Sequence, residues 1–223
     1  MAVIVGILVL QPDIGMTLMV VLTWGFQMFL AGMPMLLVIC IVALAPLGLV
    51  VAYFTLGHVH KRINQFWEGG AWQVEKARDS FANGGLFGVG PGDGTVKHHL
   101  PDAHSDFIFA VAGEEFGALA CLTLLTLYAF IVLRGFSRAM SDEGLFCLIA
   151  SASLLLQFGV QAAIHMASSV HLIPTKGMTL PLISYGGSSL VASGLTMGLI
   201  LALTRRRAPY VLPGRRNLQE ASS

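Results

Sequence analysis

Long apolar segments follow one another along this chain and leave few folds open to it. A helix that crosses a membrane needs about 20 apolar residues, with a range of about 17–25. Five segments reach that length and a shorter one precedes them, at 2–10, 14–30, 34–54, 107–133, 144–168 and 187–204. Only 11% of the 223 residues are charged, against about 25% in soluble domains. The sequence therefore predicts an all-α polytopic integral membrane protein with five to six transmembrane helices in one domain, residues 1–223.

The basic residues indicate the orientation of these helices, because Lys and Arg concentrate in cytoplasmic segments. Three Arg follow the last apolar segment directly at 205–207, which predicts a basic cytoplasmic tail over 205–223. Alternation of the helices then places 55–105 and 169–186 on the outer side of the membrane. The basic residues flank membrane segments and form no surface interleaved with aromatic residues, so nucleic acid is not an expected partner.

The first outer segment is too long for a plain connection. Apolar residues recur with a helical period over 71–81, which predicts an amphipathic helix that either lies on the membrane surface or packs beneath the loop. Six glycines follow between Gly84 and Gly94, without the Lys-Ser/Thr of a P-loop or a preceding strand. We expect a flexible loop here, able to adapt around a bulky ligand or to move during turnover.

A polar stretch, 97–106, leads from this loop to the segment 107–133. Asp102 or Ser105 is expected to cap the helix that follows, which would put Asp106 in its first turn. The helix field favours the Asp106 carboxylate, whereas partial desolvation raises its pKa. A carboxylate balanced in this way can act as a general base on a hydroxyl. The pattern is equally compatible with a helix cap and nothing more.

The same stretch raises the question of a metal site, because it contains three His. The spacing of His98, His99 and His104 matches no strong zinc pattern, and no protein-ligated metal is expected. A divalent cation, Mg²⁺ or Mn²⁺, carried by a pyrophosphate substrate is the more plausible ion, because such ions use few protein ligands.

Other polar residues stand out in apolar surroundings. Glu114 and Glu115 lie within the segment 107–133, where an ionisable group is costly and implies either a polar cavity or hydrogen bonds between helices. Lys176, in the last outer loop, can bind a lipid headgroup or a phosphate. Ser188 follows two glycines and is expected at the N-cap of the last helix, where free amides suit an anion.

Several of these motifs, in this order, resemble those of the SEDS family (shape, elongation, division and sporulation). The resemblance rests on QPDIG at 11–15, GGLFG at 84–88, LPDAHSDFIF at 100–109, GEEFG at 113–117, PTKG with the following Leu-Pro at 174–181, and SYGGSS at 184–189. The TKGMTLP stretch at 175–181 is similar to the cell-division branch, FtsW. The family has ten membrane helices, so this chain resembles its last five to six.

The resemblance implies a peptidoglycan glycosyltransferase of the bacterial inner membrane that polymerises lipid II at the division septum, with its active site on the periplasmic face. Asp106 matches the family's catalytic acid residue and would deprotonate the acceptor 4-hydroxyl, with undecaprenyl pyrophosphate as leaving group. Lys97 and Lys176 are candidates to neutralise the pyrophosphate, and His104 to orient Asp106 or bind sugar. The implied partners are a class B penicillin-binding protein and other divisome proteins.

Two other functions fit a membrane protein of this kind. A lipid II flippase would need polar residues deep in several helices, whereas here Glu114, Glu115 and His165 are the exceptions among ionisable groups that crowd the outer loops. A non-catalytic scaffold of the divisome would need only to recruit its partners.

Overall fold

The structure is a computed structural model that describes residues 4, 6–8, 14–34, 36–37, 40, 50, 53–55, 57–67, 72–100, 102–141, 144–174 and 177–205. Within these residues the chain forms helices, turns and loops, which confirms the predicted all-α class. In chain order the elements are α1 (Ile14–Leu30), α2 (Gly57–Trp67), α3 (Trp72–Gly84), a 3-10 helix (Val96–His99), α4 (Ile108–Ala139), α5 (Leu145–Ser169) and α6 (Gly187–Leu203).

The observed helices follow the predicted apolar segments closely. The bounds of α1 are those predicted, and α5 and α6 differ from theirs by one residue, whereas α4 runs six residues past the predicted end at 133. By length and composition, α4 and α5 can each cross a membrane, and α1 and α6 are shorter apolar helices. Most of the predicted segments 2–10 and 34–54, and the basic tail beyond Arg205, lie outside the described residues.

Helix α4 is broken at one residue, Gly117. Gly117 has φ 79° and ψ −179°, a conformation open essentially to glycine alone. In an unbroken helix the Glu114 and Glu115 carbonyls would accept from the amides four residues on, at Ala118 and Leu119. The break leaves these two acceptors and two donors without helical partners, and in a membrane protein they must be satisfied elsewhere.

The glycine-rich loop that follows α3 supplies all four missing partners. Val89 and Gly90 donate their amides to the Glu114 and Glu115 carbonyls at 3.0 and 3.1 Å. In the other direction, the amides of Ala118 and Leu119 reach the carbonyls of residues 85 and 86 at 2.9 and 3.3 Å. The loop backbone therefore completes the hydrogen bonding of the broken helix.

Close approach to α4 explains the glycines at two positions of this loop, Gly84 and Gly88. A Cβ atom built on Gly84 would collide with the backbone of Gly113, and one built on Gly88 would collide with the backbone of Glu115. A Cβ on Gly117 would likewise strike the Leu86 carbonyl. The glycines thus allow two backbones to meet, which differs from our expectation of a loop free to adapt around a ligand.

The predicted amphipathic helix over 71–81 exists as α3, and it packs beneath the loop. Ala77 is fully buried and shares an apolar cluster with five other buried residues, Leu100, Ala103, Phe107, Ala110 and Val111. Phe81 packs against this cluster and contacts the ring of Phe109 edge to face, with centroids 5.9 Å apart. Of the two roles considered for this helix, packing under the loop is the one observed.

Candidate functional site

Asp106 lies in a turn of its own, just before α4 begins. The Asp102 carbonyl accepts the amides of Ser105 at 3.0 Å and Asp106 at 2.9 Å, and Asp102 itself has φ 55°. The N-cap of α4 is Phe107, without a side-chain cap, and the helix starts at Ile108. The predicted cap by Asp102 or Ser105 is therefore wrong, because the 102–106 turn uses these residues before the helix begins.

The carboxylate of Asp106 is half-buried against the last outer loop. A Cβ atom built on Gly177, which has φ 60°, would stand 3.2 Å from Asp106 Oδ2. Burial is the main cause that raises the pKa of Asp106, and the negative charge of Asp102 adds to it, while a hydrogen bond from Ser105 acts in the opposite direction. A raised pKa makes the carboxylate a better proton acceptor, as a general base requires.

Two motifs that are about 80 residues apart in sequence meet at this point. Ser184 Oγ donates to the Ser105 carbonyl at 2.7 Å and accepts the amide of Leu180 at 2.6 Å. The amide of Tyr185 donates to the His104 carbonyl at 2.9 Å. These bonds fix residues 104–106 to the loop before α6. The SYGGSS motif pointed to this region, but the role of Ser184 had no signal in the sequence.

A cavity of about 600 Å³ opens next to this junction. Helices α1, α5 and α6 and the loop at Gly177 form its walls. The polar lining residues carry amides and hydroxyls, without charge: Thr23, Gln27, Gln157, Gln161, Thr179, Ser188, Ser189, Ser193 and Thr196. Apolar residues such as Trp24 and Phe158 complete the lining. Its volume lies within the usual range of about 300–1,000 Å³ for ligand sites.

Glu114 is fully buried and accepts hydrogen bonds from the N-terminal end of the 3-10 helix. Its Oε1 accepts the amides of Thr95 and Val96 and the side-chain amide of Asn83, each at 2.9 Å, and Oε2 accepts the amide of Lys97 at 3.0 Å. The supporting role predicted for Glu114 thus consists of holding the outer loop, and this residue does not line the cavity. Sequence reasoning missed Asn83, which lies 31 residues before its partner.

Lys97 pairs with Glu115, and the two side chains are each only 14% exposed. The Lys97 ammonium also donates to the Gly92 carbonyl at 3.1 Å. A contact between Lys97 and pyrophosphate would therefore have to join or replace an existing ion pair. Through Lys97, which contacts both Glu115 and the Gly92 carbonyl, the glycine-rich loop is linked a second time to the part of α4 that precedes its break.

Three predicted site residues remain: Ser188, His104 and Lys176. Ser188 lines it, but in the first turn of α6, because the N-cap is Gly186. His104 is exposed and contributes its carbonyl to the junction described above. Lys176 lies outside the described residues, next in sequence to Gly177. Within the described ranges, no group of three or more His, Cys, Asp or Glu side chains is placed to hold a metal ion.

Comparison with known proteins places this architecture in one family. The family model FtsW/RodA/SpoVE, described as cell cycle protein, matches residues 1–208. A relative from Caulobacter vibrioides, named probable peptidoglycan glycosyltransferase FtsW, is 43% identical over 206 residues, which cover 91% of this chain and 53% of the relative. The chain thus spans about half the length of the curated relatives that it matches.

Solved structures agree with this assignment. A chain from a peptidoglycan synthase complex that coordinates polymerization and crosslinking superposes with a TM-score of 0.71 at 28% identity, covering 92% of this chain and 60% of the other. The crystal structure of an Asp-to-Ala mutant of rod shape determining protein RodA from Thermus thermophilus gives a TM-score of 0.59 at 28% identity, with coverages of 92% and 55%. The chain is therefore a member of the SEDS family of integral membrane proteins, the family of FtsW, RodA and SpoVE.

Proposed function

We propose that this chain carries the active site of a peptidoglycan glycosyltransferase that polymerises lipid II during septal cell-wall synthesis. One observation supports this above the others: the half-buried carboxylate of Asp106 lies against Gly177, in the loop that lines a 600 Å³ cavity. The Caulobacter vibrioides relative, which is named for this activity, adds to the support. Because the chain spans about half of that relative, the activity of the whole enzyme is a proposal here.

In the proposed reaction Asp106 acts as general base. Its carboxylate accepts the proton of the acceptor 4-hydroxyl while that oxygen attacks the anomeric carbon of the growing glycan. The bond from the anomeric carbon to undecaprenyl pyrophosphate breaks, and the pyrophosphate departs with the electron pair. The acceptor thus gains the glycan, and Asp106 later releases the proton to solvent. A general base of this kind contributes about 10²–10⁴-fold to the rate.

Other residues would serve the substrate. Ser188 would donate from the cavity wall to a sugar or phosphate oxygen, and His104 would bind sugar beside Asp106. Lys176 would neutralise the charge that develops on the pyrophosphate, with or without a divalent cation carried by the substrate. The hydroxyl and amide lining of the cavity suits a sugar, because sugars are recognised through many uncharged hydrogen bonds.

The setting proposed for this enzyme is the bacterial inner membrane at the septum, with Asp106 on the periplasmic face and the C-terminus in the cytoplasm. A class B penicillin-binding protein would cross-link the strands that it makes. The similarity to a chain of a peptidoglycan synthase complex supports a partner of this kind.

The test uses an extended chain, in which this chain is joined at its N-terminus to the part of the Caulobacter vibrioides relative that precedes the matched region. Polymerisation of lipid II is measured in membranes together with the cross-linking partner. Asp106→Asn should lower the rate by about 10²-fold or more. Asp79→Asn, which removes an exposed carboxylate on α3, is the matched control and should leave the rate unchanged.

Stability separates a catalytic from a structural role in this test. The folded state raises the pKa of Asp106, so its charge costs folding stability at neutral pH. The neutral Asn removes that cost, and Asp106→Asn should melt no earlier than the unsubstituted protein. Normal polymerisation by Asp106→Asn would refute the assignment. If neither the unsubstituted protein nor Asp106→Asn polymerises lipid II but both still translocate it, a flippase would be favoured.

A further inference from the structure

The loop segment 177–184 is attached to α4 and α5 by three side chains that donate hydrogen bonds to its backbone carbonyls. His165 Nδ1 lies 2.6 Å from the Met178 carbonyl, and since a carbonyl can only accept, this nitrogen is the donor. Gln161 Nε2 donates to the next carbonyl, that of Thr179, at 2.9 Å. Tyr128 in α4 donates its hydroxyl to the Pro181 carbonyl.

His165 is the most deeply buried of these three donors. His165 belongs to α5, and its side chain is fully buried. Its other ring nitrogen, Nε2, has no hydrogen-bond partner within the described residues. The apolar residues Phe158, Ala162 and Met166 on the same helix belong to the core. Within the described residues, the bond to the Met178 carbonyl is the hydrogen bond that the His165 side chain makes.

The opposite side of the same segment holds Asp106 and its neighbours. Gly177, at the start of the segment, lies against the Asp106 carboxylate, and Ser184, at its end, donates to the Ser105 carbonyl. Between them, Met178, Thr179 and Pro181 line the cavity. The position of the cavity wall relative to Asp106 is consequently set by how this segment is attached to α5.

We infer that His165 and Gln161 are positioning residues for the proposed reaction: through the Met178 and Thr179 carbonyls they hold the cavity wall in register with Asp106. This inference rests on the proposed function. Neither side chain needs to touch the reacting atoms, because a displacement of about 1 Å in a site of this kind costs about 10²-fold in rate. Without its donors the segment would keep the bonds of Ser184 and Tyr128 but lose its attachment next to Gly177.

A pair of substitutions at His165 separates the hydrogen bond from the bulk of the ring. His165→Leu introduces an apolar side chain of moderate size and removes the donor to the Met178 carbonyl. His165→Asn keeps a donor, because the side-chain amide nitrogen of Asn reaches nearly the position of Nδ1. In the extended chain we expect His165→Leu to lower the rate of lipid II polymerisation by about 10–100-fold. His165→Asn should restore the rate to within a few-fold of the unsubstituted protein.

Amide hydrogen exchange gives a readout that does not depend on activity. In His165→Leu, peptides covering 177–184 should exchange faster, because the segment has lost its attachment, while peptides from α4 should be unchanged. His165→Asn should exchange like the unsubstituted protein. Gln161→Met, which removes the second donor at similar volume, should produce the same faster exchange in the same segment.

The outcomes distinguish this inference from the proposed function. If Asp106→Asn is inactive but His165→Leu polymerises and exchanges normally, the inference fails and the proposed function stands. If the unsubstituted extended chain makes no glycan, the proposed function fails, and the exchange of 177–184 alone then decides whether His165 holds the segment. Equal loss of activity and of melting temperature in His165→Leu and His165→Asn would assign the residue to fold stability and overturn the positioning role.

Discussion

Replacement of Glu114 by Ala removes the acceptor of four hydrogen bonds from a fully buried position. Three of the donors are consecutive backbone amides, at 95–97, and the fourth is the side chain of Asn83. The carbonyls of residues 114 and 115 already accept the amides of Val89 and Gly90. The variant therefore leaves four partly buried hydrogen bonds without their acceptor.

The expected loss can be estimated from these contacts. A hydrogen bond to a charged group contributes about 1.5–3 kcal/mol, but four of them cannot be summed, because burial of the carboxylate itself is costly. The substitution leaves neutral amides, each of which costs about 1–3 kcal/mol when it has no acceptor, and water can reach those of the exposed residues Asn83 and Thr95; we expect a total loss of about 2–4 kcal/mol. For a chain of this length such a loss lowers the melting temperature by roughly 10 °C.

Glu115→Ala provides a matched control one residue away. This carboxylate makes an ion pair with Lys97, whose ammonium keeps the Gly92 carbonyl as a partner after the substitution. We expect a loss of about 1 kcal/mol, because the long Lys97 side chain can turn its ammonium to solvent and does not leave a charge buried. Unfolding of both variants in detergent can be followed with a thiol-reactive dye after Cys40→Ser and Cys147→Ser, because these two thiols are exposed or partly exposed, whereas Cys121 is buried in the core and becomes reactive when the helices separate.

The comparison of the two variants also has an outcome that would refute this reasoning. If Glu114→Ala and Glu115→Ala melt at the same temperature, the hydrogen bonds to the loop do not stabilise the fold as argued. Limited proteolysis of 85–97 gives a local check, since the loop should become sensitive in Glu114→Ala before the helices unfold.

Two further predictions concern the break in α4 and the pH dependence of the proposed reaction. Gly117→Ala should destabilise the fold by at least about 2–3 kcal/mol, because φ 79° is strained for Ala and the added Cβ meets the Leu86 carbonyl. Gly25→Ala in α1 is the control: space is open around this glycine, and stability should change by less than about 1 kcal/mol. Equal melting temperatures of the two variants would contradict this prediction. Asp102→Asn removes a negative charge that raises the pKa of Asp106, and the pKa of Asp106 should therefore fall. In a pH–rate profile of the extended chain, the acid limb of the polymerisation rate should move to lower pH. An acid limb that stays in place or moves to higher pH would exclude Asp102 as a cause of the raised pKa.

The sequence was sufficient to predict those parts of the fold that depend on local pattern. The bounds of α1 could be predicted because 17 consecutive residues are almost all apolar between two polar turns. The position of α3 followed from its helical period. Even the glycine-rich loop was recognised as unusual, although the reason for its glycines, close contact with α4, required the fold.

The rest depended on contacts between distant parts of the chain. Glu114 could be flagged as a costly residue in an apolar segment, but its partners lie 17–31 residues earlier and three of them are backbone amides, which carry no sequence signal. His165 was noted among the ionisable residues in helices, and its partner is a carbonyl 13 residues later. The break at Gly117 was not predicted, because the apolar pattern on both sides of it favoured one continuous helix.

The interrupted helix α4 also has a consequence for the order in which the protein is made. The part that follows Gly117 can enter the bilayer with its own hydrogen bonds, whereas the amides of Ala118 and Leu119 must wait for the loop 84–90. That loop precedes α4 in the chain and is therefore synthesised before the helix whose amides it satisfies. The backbone of α4 is thus completed by a segment outside the helix, and the helix reaches its full set of hydrogen bonds only when that segment is in place.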